Sequence, residues 1–416
     1  MKILLSASAC SSEWGSEPGV GWRWAETLAR DHEVVVLTHK FFEAHLRTAP
    51  KNPSSNLSYR YISVPTFGLS ERVYLNSRLY YVFWQFYCLL YCLRTGLHKD
   101  VDLIHHLTLG TFRFPSFLGL LGKPFFMGPL GGGERAPIRL FRSAPLRNRL
   151  IERVRICGIL FSKFDPGVWL NCLSSTLIFC KTEESRTALP SIFWKKCRIR
   201  QEIGIQMPAQ PDSLSPRRNE DSSRPLRALY AGKLIGLKGV HFAIEAVAEA
   251  RRRGSDVTLT IAGEGPLQAW LVELARKAGV ADSVEFLGHL DRASLLTAYA
   301  DADVFVFPSL HDSSGKVVLE AMGAGLPVIC LDLGGPKSFV SETTGFIVGA
   351  SSMTVAQIPP AIANRLIELA SDRPLLQRLS AAAVQRRTDF LWEKQVSRVY
   401  DDIAQYRSTG QSKVRT

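Results

Sequence analysis

The order of apolar segments along the chain is the feature that most restricts its fold. Stretches with helical character separate a first set of short apolar or β-branched runs, at residues 2–5, 33–38, 103–106, 124–127 and 177–179. A second alternating series follows, with strands predicted at residues 228–231, 258–262, 284–287 and 304–307. Strands that alternate with helices in this way form parallel sheets covered by helices. The sequence therefore predicts an α/β protein with two Rossmann-like halves.

A polar, proline-containing segment divides the two series. Residues 206–225 hold four prolines among Ser, Asp, Asn and Arg, a composition typical of a linker. We predict an N-terminal domain at residues 1–205, a C-terminal domain at 226–390, and a terminal helix with its tail at 391–416. The length of 416 residues suits two domains of ordinary size. In open sheets of this kind, ligands bind at the carboxyl ends of the strands.

The second half contains an apolar strand, a polar loop and a helix in close succession at residues 304–325. This order directs unpaired backbone N–H groups and the positive helix end toward one pocket, which favours a phosphate. Asp312 lies in the loop, and Glu320 follows at about the second helical turn, where its oxygens can accept hydrogen bonds from a ribose diol. The pattern predicts a sugar-nucleotide site. The structural alternative is that Asp312 caps the helix and Glu320 is an ordinary acidic residue near its start.

A carboxylate, seven intervening residues and then Glu resemble the signature of glycosyltransferase family 4. The usual form there is Glu-Gly-Phe-Gly, a hydrophobic pair and Leu-Glu-Ala-Met; here Asp312 replaces the first Glu, and Ser313 and Ser314 replace the small and aromatic residues. The resemblance implies a GT-B architecture, in which two Rossmann-like domains face a central cleft and a C-terminal helix crosses back to the first domain. It also implies roles for the motif. Asp312, Ser313, Ser314 and Gly315 would hold the transferred sugar, Gly315, Lys316 and Val317 would approach the diphosphate, and Glu320 would bind the ribose.

Further motifs resemble donor-binding segments of the same family. Lys233 and Lys238 follow a predicted strand, where two cations can neutralise a diphosphate leaving group; the family usually has Arg at the first position. Gly263 opens a Gly-x-Gly-Pro turn that would lie beside the nucleotide base. The resemblance makes Gly19 and Val20, between the first strand and the first helix, the phosphate contacts of the N-terminal domain. Exposed loop lysines and plain tight turns are the structural alternatives.

Two adjacent histidines end a predicted strand of the first domain. His105 and His106 point to opposite sides of the sheet, because successive strand residues alternate. Only one is therefore predicted to reach substrate, and which one the sequence leaves open. We favour His106, since the family often places a histidine here against the donor sugar; the alternative is a hydrogen-bonded core histidine.

These motifs predict a retaining glycosyltransferase, of the hexosyltransferase type, that uses a nucleoside diphosphate sugar. His106, Asp312, Lys233 and Lys238 are the predicted catalytic residues. No cofactor or metal is expected, because the pairs Asp100–Asp102 and Asp301–Asp303 each precede a strand without other metal ligands nearby. Two alternatives stay open: a sugar-nucleotide epimerase or phosphorylase of the same fold, and a non-catalytic basic protein that binds surfaces. Nucleobase, sugar, acceptor and oligomeric state are not indicated.

The charge distribution indicates the surface at which the protein binds its acceptor. Residues 1–205 carry 27 Lys and Arg against 15 Asp and Glu, whereas the remainder is almost balanced. Seven arginines alternate with apolar residues at Arg135, Arg139, Arg142, Arg147, Arg149, Arg153 and Arg155, a pattern that suits an anionic membrane surface. A solvated helix face is the alternative, and no nucleic-acid motif accompanies the charge. We expect a glycan or lipid-linked acceptor at the membrane.

An almost uninterrupted apolar run at residues 79–93 is shorter than the roughly 20 residues that cross a bilayer. Its aromatic side chains suit a lipid headgroup interface, and a buried core helix is the other interpretation. The eight cysteines show no paired spacing and lie mostly in apolar runs, as in a reducing compartment. The expected location is therefore cytoplasmic and peripheral on the cytoplasmic membrane face.

Overall fold

The computed structural model describes residues 1–15, 17–49, 56–65, 77–141, 146–206 and 224–412. Two compact units divide the chain. The first comprises Met1–Gly133, Gly158–Ile203 and Trp392–Thr416, and the second comprises Glu134–Cys157 and Gly204–Leu391. Most of the predicted linker, residues 206–225, lies outside the described part of the chain.

The first unit is built on a seven-stranded parallel sheet with the order β3-β2-β1-β4-β5-β6-β7. Its strands are β1 Lys2–Ser6, β2 Glu33–His39, β3 Leu57–Ile62, β4 Leu103–His106, β5 Phe125–Leu130, β6 Leu177–Cys180 and β7 Cys197–Ile199. The central strands are apolar and buried along their length, because helices cover both faces of a parallel sheet. The predicted Rossmann-like architecture of this half is confirmed.

Seven helices of this half lie within the described ranges. They are α1 Glu17–Leu28, α2 Glu43–Thr48, α3 Arg78–Thr95, α4 Leu146–Phe161, α5 Pro166–Ser174, α6 Glu183–Ala188 and, from the C-terminus, α13 Trp392–Ser412. Helix α3 starts after Ser77, whose hydroxyl accepts a hydrogen bond from the Tyr80 amide, and ends at Gly96 in the left-handed conformation. No helix in the described ranges combines the length and the apolarity that crossing a bilayer requires.

The second unit contains a six-stranded parallel sheet with the order β10-β9-β8-β11-β12-β13. Its strands are β8 Leu226–Ala231, β9 Val257–Ala262, β10 Val284–Gly288, β11 Val304–Phe307, β12 Val328–Leu331 and β13 Gly345–Val348. The helices are α7 Val240–Arg252, α8 Gln268–Lys277, α9 Arg292–Asp301, α10 Lys316–Gly323, α11 Ile358–Ser371 and α12 Arg373–Arg386. The second predicted Rossmann-like half is thereby confirmed.

The C-terminal helix α13 packs in the first unit, as predicted. The Tyr400 hydroxyl lies 3.1 Å from Nδ1 of the buried His105, and Arg200 forms an ion pair of 2.9 Å with Asp402. Val399 and Ile403, on the same helix, are fully buried. This apolar face supplies the stabilising contact, since burial of one such side chain contributes about 1.5–3 kcal/mol.

The segment Glu134–Cys157 differs from the sequence-based division, which assigned residues 1–205 to one domain. It groups with the second unit, where Arg139 donates hydrogen bonds to the backbone carbonyls of Ser351 and Met353. Arg155 pairs with Glu152 and lies 2.8 Å from His311. Two of the seven arginines predicted to face a membrane are therefore engaged inside this unit. Arg142 and the side chain of Arg147 lie outside the described residues.

Candidate donor-binding site

The loop between β11 and α10 forms the centre of the candidate site. Helix α10 begins at Lys316, directly after Gly315, whose φ of 68° is left-handed. A Cβ at Gly315 would lie 2.9 Å from Cγ of Pro336, so both the backbone conformation and the space favour glycine. The helix N-terminus, with the Lys316 and Val317 amides in its first turn, thus lies where the polar loop ends. The strand, loop and helix thus follow one another in the order that the sequence indicated, and anion binding at this helix start stays a prediction.

Asp312 is held in this loop from two directions. Its Oδ1 accepts hydrogen bonds from the Ser314 amide at 3.2 Å and the Gly315 amide at 3.0 Å. Its Oδ2 forms an ion pair with the ammonium of Lys238. Burial alone would raise the pKa of Asp312, but the Lys238 charge and the two amides outweigh it and lower that pKa below its usual value. The side chain is therefore a fixed carboxylate at neutral pH.

A second glycine-containing loop supports the first. The amide of Gly335 donates a 2.7 Å hydrogen bond to the carbonyl oxygen of Asp312. Gly335 lies in the Gly-Gly-Pro turn that follows β12, and sequence reasoning gave this turn no role. Its position after a buried strand was the available signal, because loops after neighbouring parallel strands meet at one sheet edge.

Glu320 lies on α10 with its carboxylate near two cations. Lys316 Nζ is 3.3 Å and Arg292 Nη1 is 3.7 Å from Glu320 Oε1. The Glu320 side chain is mostly buried, whereas Arg292 is 74% exposed. The carboxylate is therefore fixed mainly by its own helix. Arg292, from α9, is a further neighbour of this group that sequence reasoning missed.

Lys238 and Lys233 belong to the loop after β8. Lys238 connects this loop to Asp312, and its Nζ also lies 5.4 Å from the centre of the Phe307 ring. Lys233 is exposed, and its carbonyl accepts a hydrogen bond from the Tyr230 hydroxyl at 3.3 Å. The structure thus brings Lys238 to the loop between β11 and α10, called here the candidate donor loop, and leaves the side chain of Lys233 in solvent.

Gly263 lies where the loops after β8 and β9 pack against each other. A Cβ on this residue, whose φ is 147°, would lie 1.9 Å from the carbonyl oxygen of Gly232. The Gly232 amide in turn donates to the carbonyl of Ala262 at 2.9 Å. Glycine is therefore required for this close approach. The contact places the loops that carry Gly263 and Lys233 side by side.

A charged cluster from Glu134–Cys157 adjoins the donor loop within the second unit. Glu134 and Glu152 are almost fully buried. His311, the residue before Asp312, lies 3.8 Å from Glu134 and 2.8 Å from Arg155. Burial and the Arg155 charge lower the pKa of His311. Sequence reasoning missed this cluster, because no local pattern shows that residues 134–157 approach residue 311.

The two histidines of β4 point to opposite sides of the first unit's sheet, as strand alternation predicts. His105 donates from Nε2 to the Gly128 carbonyl at 2.8 Å, and its Nδ1 accepts from Tyr400. His106 Nε2 lies 3.2 Å from the Tyr81 hydroxyl. Burial lowers the pKa of His105 to about 4 and that of His106 to about 3. Both imidazoles are therefore neutral at physiological pH.

Gly19 and Val20 lie in the first turns of α1 and not in the loop that the sequence indicated. Helix formation starts at Glu17, whose carboxylate accepts a hydrogen bond from the Gly110 amide at 2.8 Å. A Cβ on Gly19 would lie 2.8 Å from the Trp14 carbonyl oxygen. Gly19 and Val20 therefore lie at a helix start whose first turn carries the acidic side chain of Glu17.

A cavity of about 220 Å³ opens beside α1 and α3 in the first unit. Aromatic side chains dominate its wall, together with the imidazole of His39 and the carboxylate of Glu17; the aromatic members are Trp14, Phe42, Tyr80, Tyr81 and Trp84. His39 Nε2 lies 2.5 Å from the Tyr80 hydroxyl, and burial lowers the His39 pKa to about 4. Aromatic faces with a few polar groups suit a ring-shaped ligand.

One carboxylate of each Asp-x-Asp pair is engaged with an amide or a guanidinium group. Asp102 accepts a 2.8 Å hydrogen bond from the Lys2 amide. Asp303 pairs with Arg224 at 2.6 Å and accepts from the Arg227 amide at 2.9 Å. Both carboxylates thus anchor strand ends of their sheets.

Comparison with known proteins finds sequence similarity to glycosyltransferases. The family described as "Glycosyl transferases group 1" matches residues 214–386. The chain is 40% identical over 171 residues to a protein named glycogen synthase from Mycobacterium tuberculosis, covering 41% of this chain and 40% of that protein. It is 31% identical over 206 residues to a D-inositol 3-phosphate glycosyltransferase of Corynebacterium diphtheriae, covering 45% and 47% respectively. The matches thus span less than half of these relatives' lengths.

Solved structures resemble nearly the whole chain in fold. Sucrose-phosphate synthase from Thermosynechococcus elongatus has a TM-score of 0.60 at 17% identity and covers 98% of this chain and 99% of its own. HepE of Anabaena, solved in complex with UDP, has a TM-score of 0.59 at 16% identity, with 97% and 99% coverage. Residues 214–386 therefore match the glycosyl transferases group 1 family, in a chain whose two Rossmann-like units have the GT-B fold.

Proposed function

We propose that the protein is a retaining glycosyltransferase that moves a sugar from a nucleoside diphosphate to a glycan or lipid-linked acceptor. One observation carries the proposal: the Lys238–Asp312 pair lies at the N-terminus of α10, with Glu320 on that same helix, inside the segment that matches the family. A fixed carboxylate, a cation and the backbone amides of a helix N-terminus, all at one sheet edge, are the groups that a sugar diphosphate needs.

The donor roles follow from charge and position. The Lys316 and Val317 amides in the first turn of α10, with Lys238, would receive the diphosphate. Asp312 with Ser313, Ser314 and Gly315 would hold the transferred sugar. Glu320, held by Lys316, would bind the ribose, and Gly263 would border the base. The HepE structures were solved with UDP and with UDP-glucose, which supports a nucleoside diphosphate sugar as the donor. The roles predicted for Gly19, Val20 and His106 stay predictions.

The chemistry rests on stabilisation of the leaving group. As the anomeric bond breaks, negative charge grows on the diphosphate, and Lys238 and Lys233 with the α10 N-terminus would stabilise it. Asp312 already accepts hydrogen bonds from two amides and pairs with one ammonium. Because these contacts fix its oxygens and offset their charge, it would orient the sugar and not attack the anomeric carbon. The acceptor would then enter on the face that the leaving group vacates, which retains the anomeric configuration. No metal is required in this scheme.

The acceptor side of the proposal rests on the first unit. The aromatic cavity beside α3 suits a sugar ring, because apolar ring faces stack on aromatic side chains while His39 and Glu17 offer polar contacts. A similar fold is found in WaaG, a glycosyltransferase involved in lipopolysaccharide biosynthesis, with a TM-score of 0.55. We propose an acceptor of the glycan or glycolipid class, met at the cytoplasmic face of an anionic membrane.

Incubation of the purified protein with a panel of sugar nucleotides tests the donor. We expect slow hydrolysis of one donor, with the released sugar first appearing in the donor's own anomeric configuration by NMR. The Asp312→Asn variant should lose hydrolysis, whereas Asp282→Asn, a change in an exposed residue of the same unit, should keep it. Absence of binding or hydrolysis with every nucleotide sugar would contradict the proposal.

A further inference from the structure

Helix α3 is apolar on two separate faces. Tyr81, Trp84, Cys88 and Cys92 are buried in the core of the first unit. A second row recurs at spacings of three, four and seven residues, with exposed fractions of 68% for Leu79, 50% for Phe83, 43% for Phe86 and 54% for Leu93. We define these four side chains as the α3 stripe. Contiguous exposed apolar surface of this kind marks an interaction site.

A further exposed apolar group continues this surface. It consists of Leu160, Phe161, Phe164, Trp169 and Leu173, which lie at the junction of α4 and α5 and are defined here as the α4–α5 corner. Phe161 and Phe164 are 71% and 79% exposed. The 3-10 turn Phe117–Leu121 contacts both α3 and α5, and the rings of Phe86 and Phe117 are 6.0 Å apart. The stripe and the corner therefore flank one turn of the first unit.

The charged residues on helix α3 itself are all positive. Arg78 and Arg94 lie at the two ends of the helix, and both are exposed. Residues 77–99 contain no Asp or Glu. The α4–α5 corner contains Lys163 and one exposed acid, Asp165, whose carboxylate caps the start of α5. Lys195 is exposed nearby, on the turn whose Phe193 ring contacts Trp169. An apolar row between cations complements a surface with an apolar interior and anionic headgroups.

A second copy of the chain fits this surface less well. A two-fold symmetric contact places the same patch of each copy against the other. The stripe would then set Arg78 and Arg94 against the like charges of its copy, with no acid on α3 to pair them. A lipid surface carries the opposite charge and imposes no such conflict.

We infer that the α3 stripe and the α4–α5 corner insert into the interface of an anionic lipid bilayer. The buried face of α3 is packed against the core, so the helix lies along the protein surface with the stripe facing outward. Such a helix lies in the plane of the bilayer with its apolar side chains at the headgroup boundary. Tyr80, Tyr81 and Trp84 of the same helix line the aromatic cavity. The inference thus rests on the proposed membrane-borne acceptor and gives it a docking element.

Co-sedimentation with vesicles tests this inference without using transfer activity. The probes are phosphatidylcholine vesicles with and without phosphatidylglycerol. We expect the wild type to bind the anionic vesicles and to be released by high salt, because screening shortens from about 10 Å at 0.1 M to about 3 Å at 1 M. The variant Leu79→Gln/Phe83→Gln/Phe86→Gln should bind at least about tenfold more weakly, since each side chain loses its apolar contact with lipid.

The matched control carries the same number of Gln substitutions on exposed apolar residues of the second unit, at Val272, Leu287 and Ile347. It should bind vesicles like the wild type, and circular dichroism should show both variants folded. Equal binding by wild type and stripe variant, or equal loss in the control, would overturn the inference. So would a wild-type dimer that the stripe variant dissociates, which would assign the surface to a second copy. Donor hydrolysis measured without lipid should stay unchanged in the stripe variant. If the wild type itself hydrolysed no donor, that result would contradict the proposed donor and would leave the vesicle-binding result unaffected.

Discussion

At the residue scale, the pair Lys238–Asp312 explains how one loop can hold both a carboxylate and an anionic ligand. The ammonium and the Ser314 and Gly315 amides already offset the charge of Asp312. A diphosphate at the N-terminus of α10 would therefore be next to a carboxylate whose charge is already offset and next to the positive end of the helix dipole. The arrangement lets sugar hydroxyls and phosphate oxygens be bound within a few residues of each other.

Removal of the Glu320 carboxylate tests the proposed ribose contact. We expect Glu320→Ala to weaken nucleoside diphosphate binding by roughly 1.5–3 kcal/mol, the range for hydrogen bonds to a charged group. Calorimetry measures the change, and Glu342→Ala, which alters an exposed glutamate of the same unit, serves as the control. Unchanged affinity for every nucleoside diphosphate would remove Glu320 from the site.

Replacement of Lys233 and Lys238 by Met should lower turnover by about 10²–10³-fold, because the growing charge on the diphosphate loses its cations. The melting temperature should change far less. Lys277→Met, at a side chain 69% exposed on α8, is the matched control. Normal turnover by the double variant with its native donor would show that the leaving group is stabilised elsewhere.

The pH dependence of stability should reflect the buried His105. Its folded-state pKa of about 4 lies below the ordinary value of 6.5, so between these values the unfolded chain binds a proton that the folded chain does not. The stabilising contribution is therefore complete above about pH 6.5 and is lost as the pH falls toward 4. His105→Gln should reduce the loss of unfolding free energy between about pH 7.5 and pH 5 by roughly 1–2 kcal/mol.

Denaturant titrations at the two pH values measure this difference, and His289→Gln, at an exposed histidine, is the control. An identical pH dependence in wild type and His105→Gln would mean that the imidazole binds its proton equally well in the folded and the unfolded chain. His106 and His39, whose pKa values are also lowered, remain in both proteins.

Sequence reasoning reached the motif residues but not their tertiary partners. Asp312, Gly315 and Glu320 follow a local order of strand, loop and helix, which is readable from spacing alone. The contact of Gly335 with Asp312 and that of His311 with Glu134 join positions separated by many residues. No local periodicity encodes such contacts, so they required the structure.

At the scale of elements, the position of a connecting segment was harder to predict than its conformation. The strands and helices of both sheets follow from apolar periodicity. The grouping of Glu134–Cys157 with the second unit does not, because its arginines and apolar residues suit either a membrane or a protein surface. The run at residues 79–93 left two interpretations open. One face of α3 is buried, as expected of a core helix, whereas contact of its exposed face with lipid stays a prediction.

The C-terminal helix α13 can be tested through its hydrogen bond to the first unit's core. Tyr400→Phe removes the hydroxyl that donates to Nδ1 of His105 and leaves that buried nitrogen unpaired. We expect a loss of about 1–3 kcal/mol in unfolding free energy, measured by urea titration. Tyr406→Phe, on the same helix but 45% exposed, should cost little. Equal stability of Tyr400→Phe and wild type would mean that water replaces the hydroxyl.

At the scale of the whole molecule, we propose that the protein's own cations serve the reaction in place of a metal. The chain carries a net charge of +13, and its donor loop is bordered by the cations of Lys238, Lys316 and Arg292. One carboxylate of each Asp pair, Asp102 or Asp303, is bound by an amide or a guanidinium group at a strand end. In the proposed reaction, cationic side chains and helix-end amides would take the part that a divalent ion plays beside a diphosphate.

Addition of a chelator such as EDTA should therefore leave donor hydrolysis and transfer unchanged. The reaction should also proceed at the same rate when Mg²⁺ or Mn²⁺ is supplied, because the lysines and amides are permanent parts of the site. The measurement is the initial rate with the native donor, with a metal-dependent glycosyltransferase as the positive control for chelation. A rate that falls in chelator and returns with a divalent cation would show that the protein's own cations are insufficient. The Asp pairs and the donor-loop carboxylates would then need to be tested as metal ligands.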